Sequence, residues 1–191
     1  MGCDIHICLE RKETIDGKSV WVNIDPHIFN EYQKEFRAKG IAEDRDYELF
    51  CILAGVRDRQ GVKPIDSPRG IPDDCHDITR SRYEYYSGDA HTPSYFSLGE
   101  LKEYQDSCDG QIKRSGMISP EQHEALLNGE KPDAWCQGTT DASWVHAEWT
   151  DKCNPIESFI SKIENYLNCI LYSYELRNKV CNFRVVFWFD N

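Results

Sequence analysis

From Cys3 to Arg11 apolar and polar side chains alternate, with Cys3, Ile5, Ile7 and Leu9 on one face and Asp4, His6, Cys8 and Glu10 on the other. A period of two predicts a half-buried strand. Asp16-Gly17 is a turn signal, and Ser19 to Ile24 resumes the alternation with Val20, Val22 and Ile24 in phase, so the chain is predicted to open as a hairpin. His27 to Lys39 reads as a short helix stopped by Gly40, and Tyr47 to Ala54 as a helix with a buried stripe capped by Gly55. Pro64, Pro68, Gly70 and Pro72 then exclude helix and predict an extended course.

Ser87-Gly88 predicts a turn before Asp89. Ser97-Leu98-Gly99-Glu100 has capping-box spacing and predicts a helix running through Tyr104. Ser119-Pro120 predicts another helix start, with an end near Asn128-Gly129. Residues 130–152 hold Trp135, Trp144 and Trp149 without a clear period and read as a loop or insertion packed by its own aromatics. Pro155 to Lys179 repeats apolar residues every three or four positions, as a core-facing helix requires. Asn182 to Phe189 closes the chain as a strand with apolar residues on both faces, the mark of a central position in a sheet. The sum is an α+β fold: a mostly antiparallel sheet, from the N-terminal hairpin and the C-terminal strand, covered by helices. A chain of 191 residues suits one domain spanning 1–191.

Composition narrows the functions. A formal charge of −11 argues against a sequence-independent grip on a nucleic-acid polymer but leaves room for a small anionic ligand held by a few arginines. The start of the chain lacks the basic stretch and apolar run of a secretory signal, and no apolar run nears the ~20 residues of a membrane span. Nine scattered cysteines without a Cys-x-x-Cys read as small buried hydrophobes of a cytoplasmic protein. Cys75-His76 is a weak candidate for a structural zinc site, because the paired spacing is missing.

Chemistry concentrates in two Asp-x-His tripeptides, Asp4-Ile5-His6 and Asp89-Ala90-His91. Residues two apart on a strand share a face, so each tripeptide aims a carboxylate and an imidazole at one spot. Such a pair moves protons, holds a metal or grips a polar ligand. The expectation is that Asp4, His6, Asp89 and His91 line one cavity, as catalytic groups or as a divalent-metal set. Arg57, Arg69 and Arg80 are candidate anion-binding cations, and the prolines around Arg69 stiffen its backbone. Thr92 and Ser94 could donate to a ligand oxygen. A structural alternative stands beside each of these: salt bridges for the arginines, turn chemistry for the hydroxyls, solvated surface for the acid–imidazole pairs.

Familiar schemes fail. There is no phosphate-binding Gly-x-x-x-x-Gly-Lys loop, Gly-x-Ser-x-Gly elbow or His-Glu-x-x-His. The first motif of calcineurin-like metallophosphoesterases is approached at Asp4-Ile5-His6, but their later Asn-His element is missing, and His6-Ile7-Cys8 falls short of the two-histidine phosphoesterases. Met1-Gly2-Cys3-Asp4-Ile5-His6, Leu53-Ala54-Gly55-Val56-Arg57, Pro68-Arg69-Gly70-Ile71-Pro72, Asp89-Ala90-His91-Thr92-Pro93-Ser94 and the closing Arg184 to Asn191 together resemble a family of small proteins encoded by tailed bacteriophages and prophages. The segment between 105 and 150 departs from it. The resemblance implies expression inside a bacterial host and implies no activity.

Three functions fit these features. One is an enzyme that hydrolyses a small phosphorylated or nucleotide-like ligand, phosphodiesterase-like, possibly countering host defence. The second is a protein that sequesters a host nucleotide signal without turnover. The third is an acidic protein-interaction or DNA-mimicking inhibitor working through the Trp-rich stretch. The oligomeric state is left open.

Overall fold

A computed structural model describes residues 2–32, 34–41, 45–57, 62–86, 88–152, 155–171 and 182–191. The fold is α+β. Strands β1 (Asp4–Ile15) and β2 (Lys18–Asn23) form the opening hairpin around Asp16 and Gly17, both at positive φ, as a two-residue turn requires. Strand β8 (Phe183–Asp190) lies between β1 and β5 (His91–Ser97), giving a four-stranded antiparallel sheet of order β2-β1-β8-β5. The central place expected for the last strand is therefore observed, and its residues from Phe183 to Phe189 are buried on both faces.

One face of the sheet carries Ile5, Ile7, Phe187 and Phe189 against the helices. Phe50 of α1 (Tyr47–Ala54) meets Phe189 edge-on. Helix α3 (Leu98–Ser107) buries Leu98 and Leu101, and α5 (Pro155–Ile170) buries Ile156, Phe159, Ile160, Ile163 and Leu167. The capping box of α3 is formed: the Ser97 hydroxyl oxygen accepts from Glu100 N at 3.1 Å and Glu100 Oε2 accepts from Ser97 N at 2.7 Å. The part of the expected long helix beyond Leu171 lies outside the described residues, as does Ser87 of the expected turn.

The opposite face is not half-solvated as the alternation suggested. Cys8, Val186 and Trp188 form a buried cluster under Ile71, Tyr83, Tyr86, Ala90 and Tyr95. Tyr83 belongs to α2 (Asp77–Tyr85), a helix with only Thr79 buried and His76 as its N-cap. Here polar groups are buried in pairs. Glu10 Oε2 accepts from Arg184 Nε at 2.8 Å and Glu10 Oε1 from His76 N at 2.8 Å. Asp25 accepts from Leu9 N, Asn23 Nδ2 and Arg82 Nη1; burial raises its carboxyl despite these bonds.

Two expectations are corrected. The segment read as a helix over His27–Lys39 contains a hairpin of β3 (His27–Asn30) and β4 (Glu35–Ala38). Its few apolar residues do not distinguish the two periods, and Lys34 at φ 56° turns the chain. The segment 130–152 is not all loop: β7 (Val145–Lys152) pairs antiparallel with β6 (Gln111–Ile118) along their full lengths. Helix α4 (Pro120–Leu127) starts at Ser119 as expected, and Trp135 packs edge-on against Trp149. The chain, expected to form one domain, gathers into two compact units, with β6, α4 and β7 making the second and the other elements the first. Among the described residues no helix is long and apolar enough to cross a membrane.

Candidate functional site

The strand register decides what the two tripeptides can do. On β1, Asp4 is opposite Asp190 and His6 is opposite Trp188. Directly opposed residues share a face. Asp4 and His6 thus project on the Trp188 side. The His6 ring stacks on Tyr86 (centroids 4.0 Å apart) and on Trp188 (5.7 Å), which are themselves 6.2 Å apart. Its Nε2 lies 3.1 Å from Asp190 Oδ2. That approach is not aligned as a hydrogen bond, and the buried His6 Nε2 and the indole Nε1 of Trp188 both lack a hydrogen-bond partner among the described residues. Asp4 is held by Arg45, whose Nη2 donates to Oδ2 at 3.0 Å, and this guanidinium keeps the carboxyl below its ordinary range.

His91 goes to the other face. It is opposite Phe189, one residue further along β8 than the partner of His6, and stacks on the Phe189 ring at 5.9 Å. Ala90 packs with Trp188, and Asp89 stays exposed in the turn, its N–H donating to Tyr86 O. The shared cavity of Asp4, His6, Asp89 and His91 is therefore not formed; the two imidazoles face opposite sides of one sheet, at the same end of it. Among the described residues no three His, Cys, Asp or Glu side chains gather to hold a metal ion, at the tripeptides or at Cys75-His76. His76 Nδ1 instead accepts from Ile78 N.

The expected ligand groups divide. Arg69 is committed to acids, at 3.1 Å to Asp66 Oδ2 and 2.7 Å to Glu100 Oε1, and lies over the Phe96 ring. The fully buried Ser94 hydroxyl accepts from Arg69 N. Arg80 donates to the carbonyls of Pro72 and Asp73. These three are structural ties. Thr92 lies beside His91, and Arg57 is tied to Gly2 O and Asn191 Oδ1, next to Cys3 in the chain.

Around His91 a compact set assembles. The Cys3 Sγ lies 3.9 Å from His91 Nε2, and His91 Nδ1 lies 2.9 Å from Thr92 Oγ1. Arg57 lies close by, its Nη2 donating to Gly2 O at 3.5 Å and to Asn191 Oδ1 at 3.1 Å. Burial pushes the Cys3 thiol up, and the Arg57 hydrogen bond and charge pull against it. Thr92 has φ 51° and Arg57 φ 58°. For a β-branched residue the left-handed region is a true outlier, held only where the surroundings enforce it. The enforcement is visible: the ladder between β5 and β8 slips between His91 and Ser94, so one extra residue is accommodated and the backbone bends.

A thiol facing one ring nitrogen of an imidazole, with the other nitrogen fixed by a hydroxyl, has the layout of a nucleophile, a base and an orienting group. Sequence reasoning placed Cys3 correctly on the apolar face but read it as filler. The missing signal was the pairing partner. Once β8 sits beside both β1 and β5, Phe189 brings Cys3 and His91 together. Asp190 was overlooked for the same reason, since the alternation of β8 puts it on the His6 side. Comparison with known protein families, curated proteins and solved structures finds no match to this chain.

Proposed function

We propose that the protein hydrolyses a phosphoester of a small nucleotide-like ligand at the end of the sheet where Cys3, Arg57, His91 and Thr92 gather. His91 transfers the proton, Thr92 fixes the ring through Nδ1, and Arg57 supplies the cation that an acidic chain needs to hold a phosphoryl group. The observation that carries this reading is the His91 imidazole itself: it faces Cys3 Sγ at 3.9 Å and is held from behind at 2.9 Å by a residue in a strained backbone conformation. Strain of this kind concentrates at functional sites. The seven described cysteines are all free, which fits work in the reducing cytoplasm of a bacterial host, as the phage-family resemblance also implies. Interference with a nucleotide-based host defence is the role we assign to it there.

Turnover of bis(p-nitrophenyl) phosphate by purified protein tests the reading. His91→Ala is expected to lower kcat at least about 100-fold, the usual scale of proton transfer by a positioned group. Equal rates for the variant and the wild type would remove His91 from the chemistry.

Tyr85, 84% exposed and edge-on to Tyr86, favours a second reading, sequestration of a nucleobase-containing ligand by stacking. In that case heat-denatured protein from a host expressing a nucleotide signal releases the intact molecule and no product.

A further inference from the structure

We infer that Cys3 is the covalent nucleophile of this site, attacking phosphorus to give a cysteinyl-phosphoryl intermediate. The inference rests on the hydrolytic reading above and adds to it the identity of the attacking atom. Nothing in the proton-transfer role of His91 requires a thiol; an imidazole can activate water directly. Yet the side chain that His91 Nε2 faces is the Cys3 thiol, at 3.9 Å, a separation typical of a resting nucleophile–base pair that tightens only with substrate bound. Arg57 donates to the carbonyl of Gly2, the residue before Cys3, at 3.5 Å, so the attacking atom lies near the group that would hold the phosphoryl oxygens.

The steps balance without a further reactant. The Cys3 thiol proton passes to His91 Nε2 as the S–P bond forms and the P–O bond to the leaving group breaks. The leaving oxygen takes that proton from Nε2. Water then gives a proton to Nε2 and attacks phosphorus, the S–P bond breaks, and the sulfur recovers the proton. Thr92 Oγ1 at Nδ1 keeps the ring aimed at the sulfur throughout. Burial of Cys3 to 1% exposure keeps the thiol protonated at rest, so an adjacent base is a requirement of the step. Gly2 and His91 beside it are partly exposed, the side from which a substrate would reach the sulfur.

Rapid-quench kinetics with bis(p-nitrophenyl) phosphate tests this directly. Expected are a burst of one equivalent of p-nitrophenolate and, after acid quench, a p-nitrophenyl phosphoryl adduct on the peptide containing Cys3. Cys3→Ser is expected to reduce turnover at least 100-fold, and iodoacetamide should alkylate native Cys3 more slowly in His91→Gln than in wild type. The adduct is read on unaltered protein, so a poorly folding variant does not spoil the test. Turnover retained within threefold in Cys3→Ser, while His91→Ala is inactive, overturns the nucleophile and leaves the hydrolytic reading standing. A native Cys3 that neither alkylates nor forms an adduct during turnover also overturns it. Absence of any turnover by the wild type overturns both.

Discussion

The two ends of β8 carry similar side chains in opposite circumstances. At its start, Arg184 and Glu10 are almost fully covered, with side-chain exposures of 6% and 0%. Both Glu10 oxygens are bonded, Arg184 also reaches Asp74 at 2.8 Å, and its guanidinium lies 4.0 Å over the Trp21 ring. At its finish, Asp190 and His6 are 22% and 13% exposed, and among the described residues His6 Nε2 and Trp188 Nε1 lack hydrogen bonds. One sheet face thus holds both a closed ion network and an open one. Burial demands that a charge be paired and its remaining positions satisfied, which the first end nearly achieves, leaving one guanidinium nitrogen over. The second end leaves His6 Nε2 and Trp188 Nε1 without a hydrogen bond among the described residues, while on the reverse side Cys3 and His91 face one another.

The largest expected effect breaks the closed end. Glu10→Ala leaves a buried guanidinium without its buried counter-charge and strips the His76 N–H of its acceptor, so unfolding in urea should show a loss of about 3–5 kcal/mol. Asp190→Asn, at the open end, should lose about 1 kcal/mol or less, because its contact is partly solvated and poorly aligned. Similar losses for the two would mean that both ends are structural, and the distinction drawn here would not stand.

A subtler change sharpens the contrast between positioning and stability. Thr92→Gly relieves a left-handed conformation worth on the order of 1 kcal/mol, but removes the Oγ1 partner of His91 and loosens the unfolded chain. These terms oppose one another, so stability should change by less than about 1 kcal/mol. Turnover should still fall, with kcat more affected than KM. A loss of stability with unchanged kcat would assign the hydroxyl to the bulge alone.

How much of this could be read from the chain depended on whether a segment carries its own signal. Helix α1 announced itself through its apolar stripe and Gly55, α3 through Ser97 and Glu100, and β8 through Phe183, Val185, Phe187 and Phe189, and all three are observed. Strand β7 did not: five of its eight residues are exposed, and its order comes from a full-length partner in β6. Helix α2 buries only Thr79 and uses a histidine cap, so neither periodicity nor cap chemistry marked it. The two tripeptides were visible, but the rule that residues two apart share a face holds only on a regular strand. Asp4 and His6 obey it. Asp89 lies in a turn, and the bulge after His91 resets the register. Convergence of distant segments is a property of strand order, and no local pattern encodes that.

The smallest predicted effect concerns pH and the commitment of Arg69 to the fold. Burial disfavours the charged form of Glu100, but the Arg69 guanidinium and the Ser97 donors outweigh it and hold the carboxyl below its ordinary value of 4.5. A carboxyl lowered in the folded state binds its proton less readily than in the unfolded chain. Its stabilisation is therefore fully present above pH 4.5 and disappears as pH falls through the folded value. Glu100→Gln keeps an acceptor for the α3 cap but removes the charge. Wild type and variant should then differ in urea midpoint at pH 7 and converge towards pH 3, by a modest amount because the Glu100 side chain is 36% exposed. A gap that persists unchanged at pH 3 would trace the loss to the cap rather than to Arg69, and would return that arginine to the set of groups free to meet a ligand.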